Sequence, residues 1–186
     1  MTFEEGINTI THSFMEMLNM AEELFGNRDK NWTFIGVEFS GCVPCIMYYP
    51  NNKISIVLSK DCSKEFPNCP QLYYQLAHEI CHLLYPTEKS DATVLIEGIS
   101  VFFSKKYQEK IYPKSTYAID DINKSKYSEA YQLVEKLLTI DTDAIKKIRQ
   151  KGFEITSITE SELKSMDFGL NDEEIKKITS KFNQYS

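Results

Sequence analysis

The chain has 186 residues, of which 42% are hydrophobic and 26% charged, and its net charge is −6 at pH 7. That length suits one packed domain and is short for two. The acidic balance argues against a general binder of nucleic acid or anionic membrane, and no apolar run reaches the roughly 20 residues needed to span a bilayer.

The first predicted element is a helix from about Phe3 to Phe25. Ile7, Ile10, Phe14, Leu18 and Ala21 recur at near-helical spacing, and Gly26-Asn27 supplies a stop. His12 lies in this helix, far in sequence from other ligand-type residues, and reads as a surface or core-edge histidine. Three strand-like runs follow. Trp32 to Phe39 and Val43 to Tyr49 are β-branched and aromatic, with Pro44 suited to an edge or a strand start. Lys53 to Ser59 alternates, with Ile54, Ile56 and Leu58 on one side and Ser55, Val57 and Ser59 on the other. Pro50-Asn51-Asn52 is turn chemistry and predicts a hairpin between the last two runs. Asp61 to Asn68 reads as a loop.

Pro70 suits the first turn of a helix that continues to Tyr85, and Pro86 marks its stop. A second helix is predicted from about Asp91 to Tyr107, with Ala92, Leu95, Ile96, Ile99, Phe102 and Phe103 at the helical period. Ile111 to Lys126 contains Pro113 and several Asp, Lys and Ser residues, and reads as a long loop or short turns. Further helices are expected near Tyr127–Leu138, Asp141–Gln150 and Asp172–Phe182, and Thr159-Glu160-Ser161-Glu162 can open a short one. The expected class is α+β in a single domain over 1–186. A small antiparallel or mixed sheet packs on the helix after Pro70, and the C-terminal half is mainly helical.

The start, Met1-Thr2-Phe3-Glu4-Glu5, lacks the basic region of a secretory leader, and the expected compartment is cytoplasmic. The sequons Asn31-Trp32-Thr33 and Asn123-Lys124-Ser125 are idle there. Five cysteines are an odd number, which argues against a disulfide framework. Cys42 and Cys45 form C-x-x-C, but Cys62 and Cys69 lack the close spacing of a second zinc-knuckle pair, and burial as small apolar thiols is the expected role.

The chemistry concentrates in Leu76-Ala77-His78-Glu79-Ile80-Cys81-His82-Leu83-Leu84. Here H-E-x-x-H lies inside a helical pattern, so His78 and His82 share one face one turn apart and can reach one metal ion. Leu72, Leu76, Ile80, Leu83 and Leu84 fall on the opposite side. Glu79, beside the first ligand, is placed to take a proton from a water that the metal activates. The bland alternative is a surface helix that happens to carry two histidines.

A catalytic zinc needs a third protein ligand, and Glu88, Asp91 and Glu97 are near. Glu88 would require a sharp glycine turn where Tyr85-Pro86 stand. Asp91 suits a helix N-cap. Glu97 lies nearly two turns inside a mostly apolar predicted helix, where a carboxylate is costly unless paired or metal-bound. Pairing with a lysine, or facing solvent, is its alternative.

His78-Glu79-x-x-His82 followed by Glu97-Gly98-Ile99-Ser100 resembles the gluzincins, the zinc metallopeptidases related to thermolysin. The resemblance covers about Lys53 to Tyr107. It implies a zincin-like fold, a Zn2+ cofactor held by His78, His82 and Glu97, and Glu79 as general base. It further implies that an extended peptide or protein substrate lies along the strand Ile54–Leu58. Two features differ from thermolysin. The interval from His82 to Glu97 is shorter, and Val101 stands where thermolysin has a histidine-orienting aspartate. An oxyanion donor downstream would be a tyrosine, since no histidine follows His82; Tyr127 and Tyr131, one turn apart on a predicted helix, are the candidates. The expected function is zinc-dependent peptide hydrolysis. The alternatives are a catalytically inactive zinc-binding sensor or interaction module, and a helical interaction protein whose motif is accidental.

Overall fold

The computed structural model describes residues 3–41, 43–63, 68–88 and 92–182, with side chains from residue 10 onward. Asp91 and Cys42 lie outside these residues. Helix α1 spans Phe3–Phe25. It buries Ile10, Phe14, Met17, Leu18, Ala21 and Phe25, a single stripe at helical spacing. Gly26 ends it at φ +95°, a backbone region open to glycine, with its N–H on the Glu22 carbonyl.

Three strands follow, β1 (Thr33–Gly41), β2 (Cys45–Tyr49) and β3 (Lys53–Ser59). They form a mixed sheet in the order β1-β3-β2, with β3 parallel to β1 and antiparallel to β2. The expected hairpin is present. Its turn places Asn51 and Asn52 at φ 63° and 53°, which asparagine tolerates better than most residues. Central β3 is buried on both faces, from fully buried Ile54, Ile56 and Leu58 to nearly buried Ser55, Val57 and Ser59. Its backbone is paired on both sides, so it has no free edge for an extended peptide, contrary to what the resemblance implied for Ile54–Leu58. The outer strand on that side is β2.

Helix α2 (Pro70–Leu84) packs under the sheet and is pinned to the end of β3 by Gln75, whose Oε1 accepts from the Ser59 N–H at 3.1 Å and the Cys62 thiol at 3.2 Å. Helix α3 (Val94–Ile111) runs antiparallel to α2. At one end Gln108 donates to the Pro70 carbonyl at 3.1 Å, and at the other Glu97 meets His82. The remaining helices are α4 (Tyr117–Lys124), α5 (Tyr127–Ile140), α6 (Ala144–Gln150), α7 (Glu160–Ser165) and α8 (Asp172–Thr179). A continuous apolar core runs from Ile10 through α2, α3 and α5 to Phe182. The protein is thus α+β and mostly helical. No described helix is long and apolar enough to cross a membrane.

Two differences from the sequence reading bear on the site. Helix α3 begins at Val94, capped by Thr93, whose hydroxyl accepts from the Ile96 N–H. The preceding residues are held extended by the chain's end: the Phe182 N–H donates to the Ala92 carbonyl at 2.8 Å, and the Val94 N–H to the Ser180 carbonyl at 2.9 Å. Residues 117–124, read as loop, are helix α4, because Ala118 and Ile122 are buried one turn apart and Gln108 accepts from the Ala118 N–H.

Candidate metal centre

The first consequence of the later helix start is that Glu97 lies in the first turn of α3, not nearly two turns inside it. There the amide dipoles favour a negative charge. Pinning of residues 92–94 by Ser180 and Phe182 fixes where that turn sits. Gly98, the next residue, lets α5 approach closely: a Cβ there would stand 2.4 Å from the Ala130 carbonyl oxygen and 2.5 Å from Val134 Cγ2. Ser100 and Ser104 are fully buried and satisfy themselves on the carbonyls of Ile96 and Ser100.

Helix periodicity brings the two imidazoles together from α2, with His78 Nε2 3.2 Å from His82 Nε2. Glu97 completes the group from α3. Its Oε2 is 3.2 Å from His78 Nε2 and its Oε1 3.6 Å from His82 Nε2. One ligand atom from each of the three lies within 4.8 Å of the others, and this is the one such group among the described residues. The short approach of Oε2 lacks hydrogen-bond angles, so that oxygen is buried without a donor. An orphaned buried carboxylate oxygen facing two imidazole nitrogens is a donor set that could hold a divalent metal ion. Glu88 is exposed and outside the group.

Burial and charge pull the protonation of these groups in opposite directions. Burial lowers His82 to about 4, with His78 adding to the effect and Glu97 opposing it. Burial also opposes charge on His78, but the Glu97 carboxylate outweighs it and holds that imidazole above its usual value. Glu97 is held below the usual carboxylate range despite its burial, by His82 and His78 and more distantly by Lys126. Glu79 is 3% exposed, and burial lifts it to about 7, with Glu97 adding and His78 opposing.

The group opens into a cleft of about 450 Å³ between β2, α2 and α4. Glu79 lines it, as does Tyr127, whose ring stands edge-on to His78 with centroids 5.7 Å apart and is backed by Phe182 at 4.9 Å. Tyr131 does not line the cleft: it stacks on Phe102 and gives its hydroxyl to Glu135. Cys45 lines the rim, and Cys62, Cys69 and Cys81 are buried free thiols that join no metal-holding group. Sequence reading passed over Tyr74, Tyr117 and Asp121, which line the α2–α4 end. The buried pair Ala118 and Ile122, after the turn-forming Ser115-Thr116, was the signal that could have found α4. No protein-family model, curated protein or solved structure matches the chain.

Proposed function

We propose that the protein is a zinc-dependent peptidase of gluzincin type, with a zincin-like fold, that hydrolyses a peptide bond in this cleft. The observation that carries the reading is the convergence of His78, His82 and Glu97 from two antiparallel helices at the wall of a cleft that Glu79 also lines. Zinc, when bound, supplies Lewis acidity, which acidifies water and polarises a carbonyl. Glu79 takes the proton from the attacking water on its carboxylate and returns it to the nitrogen of the leaving amine. Its buried position keeps that carboxylate out of bulk solvent and its proton affinity close to neutrality. Tyr127, facing the cleft beside His78, is the donor for the developing oxyanion. Strand β2, whose Cys45, Ile46 and Tyr48 line the cleft, offers the backbone edge that an extended substrate needs.

One observation favours a non-catalytic zinc-binding module instead. Val101, where thermolysin carries an aspartate that orients a histidine ligand, is fully buried in the core. A single experiment separates the two. Zinc-supplied wild type and Glu79→Gln are analysed for metal and incubated with a mixed peptide library read by mass spectrometry. The peptidase reading expects about one zinc per chain in both, and cleavage that falls by roughly a hundredfold or more in the variant. Zinc without cleavage in wild type favours the module. No zinc in either removes both readings.

A further inference from the structure

The α2–α4 end of the cleft contains chemistry that metal binding and proton transfer leave unused. Tyr74 lies one turn before His78 on α2, about 6 Å along the helix axis, and lines the same cleft. It is 6% exposed, and its buried hydroxyl makes no hydrogen bond of good geometry, although the Asp121 carboxylate is close enough to draw on it. Its ring meets Tyr117 of α4 edge-on, with centroids 5.5 Å apart. Asp121, one turn after Tyr117, lines the cleft beside them and is within electrostatic reach of Tyr74, Tyr117 and His78.

Among the described residues the cleft carries an excess of negative charge. Glu79, Glu97 and Asp121 are the described carboxylates lining it, and no described lysine or arginine does. A divalent ion offsets the first two and leaves Asp121, which makes no ion pair among the described residues. Lys126, the cation felt by Glu97, has its ammonium over the Phe182 ring at 4.5 Å and lies outside the lining. A partly buried carboxylate beside two tyrosine rings, one of them with a hydroxyl that lacks a well-formed hydrogen bond, matches a guanidinium or ammonium group.

We propose that Tyr74, Tyr117 and Asp121 form a subsite for a cationic group of the substrate, next to the scissile bond; this rests on the peptidase reading above. The separation of one helical turn from His78 matches about two residues of extended chain, each advancing about 3.3 Å. The cation is either an arginine or lysine side chain or the substrate's own N-terminal amine.

The test is calorimetric binding of three hydroxamates to zinc-loaded protein, with metal content measured on every sample. The probes are N-acetyl-arginine hydroxamate, N-acetyl-leucine hydroxamate, and leucine hydroxamate with its free amine. In wild type the arginine compound should bind about tenfold or more tighter than N-acetyl-leucine hydroxamate. Asp121→Asn should abolish that preference, and Tyr74→Phe should reduce it. The same pattern shown by leucine hydroxamate instead supports the subsite and assigns it to a chain N-terminus. Retained zinc with no cationic preference, or with one that survives Asp121→Asn, overturns the subsite alone. Failure to bind both zinc and hydroxamates overturns the subsite and the peptidase reading together.

Discussion

Nε2 of His82 stands 3.2 Å from Nε2 of His78, and both nitrogens face the carboxylate of Glu97. A single shared proton can hold two imidazoles at that distance, but it leaves Glu97 Oε2 without a donor. A divalent ion satisfies all three groups at once. Zinc should therefore stabilise the fold. At a free concentration a hundred times its Kd the linkage is worth about 2.7 kcal/mol, or about 5–10 °C in Tm for a chain of this size. Glu97→Ala should abolish the shift and weaken zinc by more than the roughly 10–100-fold that loss of an outer partner costs. Thermal melts with and without zinc check this, and an undiminished shift in the variant would move the third ligand elsewhere.

Zinc binding should also release protons near neutrality. Burial lifts Glu79 to about 7, and Glu97 holds His78 above the usual imidazole value, so at pH 6.5 both groups carry protons in the metal-free chain. His82, pushed down to about 4 by burial, is already neutral and contributes none. A cation needs His78 unprotonated and favours ionised Glu79, so apparent zinc affinity rises from pH 6 to pH 8. Calorimetry in buffers of different ionisation enthalpy counts the protons. Glu79→Gln should remove the share that belongs to Glu79, and a count of zero at pH 6.5 in wild type contradicts the assignment.

Gly98 joins the first turn of α3, which holds Glu97, to the packing of α5. A methyl group there meets a backbone oxygen at 2.4 Å, which cannot rotate away, as well as Val134 Cγ2 at 2.5 Å. The better helix propensity of alanine offsets only part of that clash. Gly98→Ala should destabilise by about 1–3 kcal/mol, and because Glu97 is its neighbour it should weaken zinc as well. Denaturant titration and a zinc-binding isotherm measure the two effects. Lost stability with unchanged zinc affinity would show that Glu97 is positioned independently of α5.

Local patterns carried most of this architecture. The α1 stripe, the Asn51-Asn52 turn and the Thr159–Glu162 capping box each act over a few residues and are visible in sequence. So is the pairing of His78 with His82, which needs only the helical repeat. What escaped depends on distant contacts. The start of α3 is set by Ser180 and Phe182, some 90 residues away, and that decides which turn holds Glu97. The order β1-β3-β2 puts β3 in the middle, and alternation within one strand does not specify its neighbours. Asp121 went unnoticed because Pro113 and the surrounding charges masked a two-turn helix whose burial depends on Gln108 and the rest of the core.

The two tyrosines, one turn apart on α5, should separate in function. Tyr127 presents its ring to His78 and lines the cleft, whereas the Tyr131 hydroxyl is committed to Glu135, with Lys105 over its ring at 5.6 Å. Loss of one oxyanion donor costs roughly 10²–10³ in kcat. Tyr127→Phe keeps the ring that packs between His78 and Phe182, so it should retain zinc and stability while losing turnover on that scale. Tyr131→Phe removes an exposed hydrogen bond and should leave kcat/KM within about twofold and Tm within a few degrees. Both constants are measured on the peptide that the wild type cleaves best. If Tyr127→Phe turns over at the wild-type rate, the donor is another group of the cleft, and the ring of Tyr127 serves only to hold His78 in place.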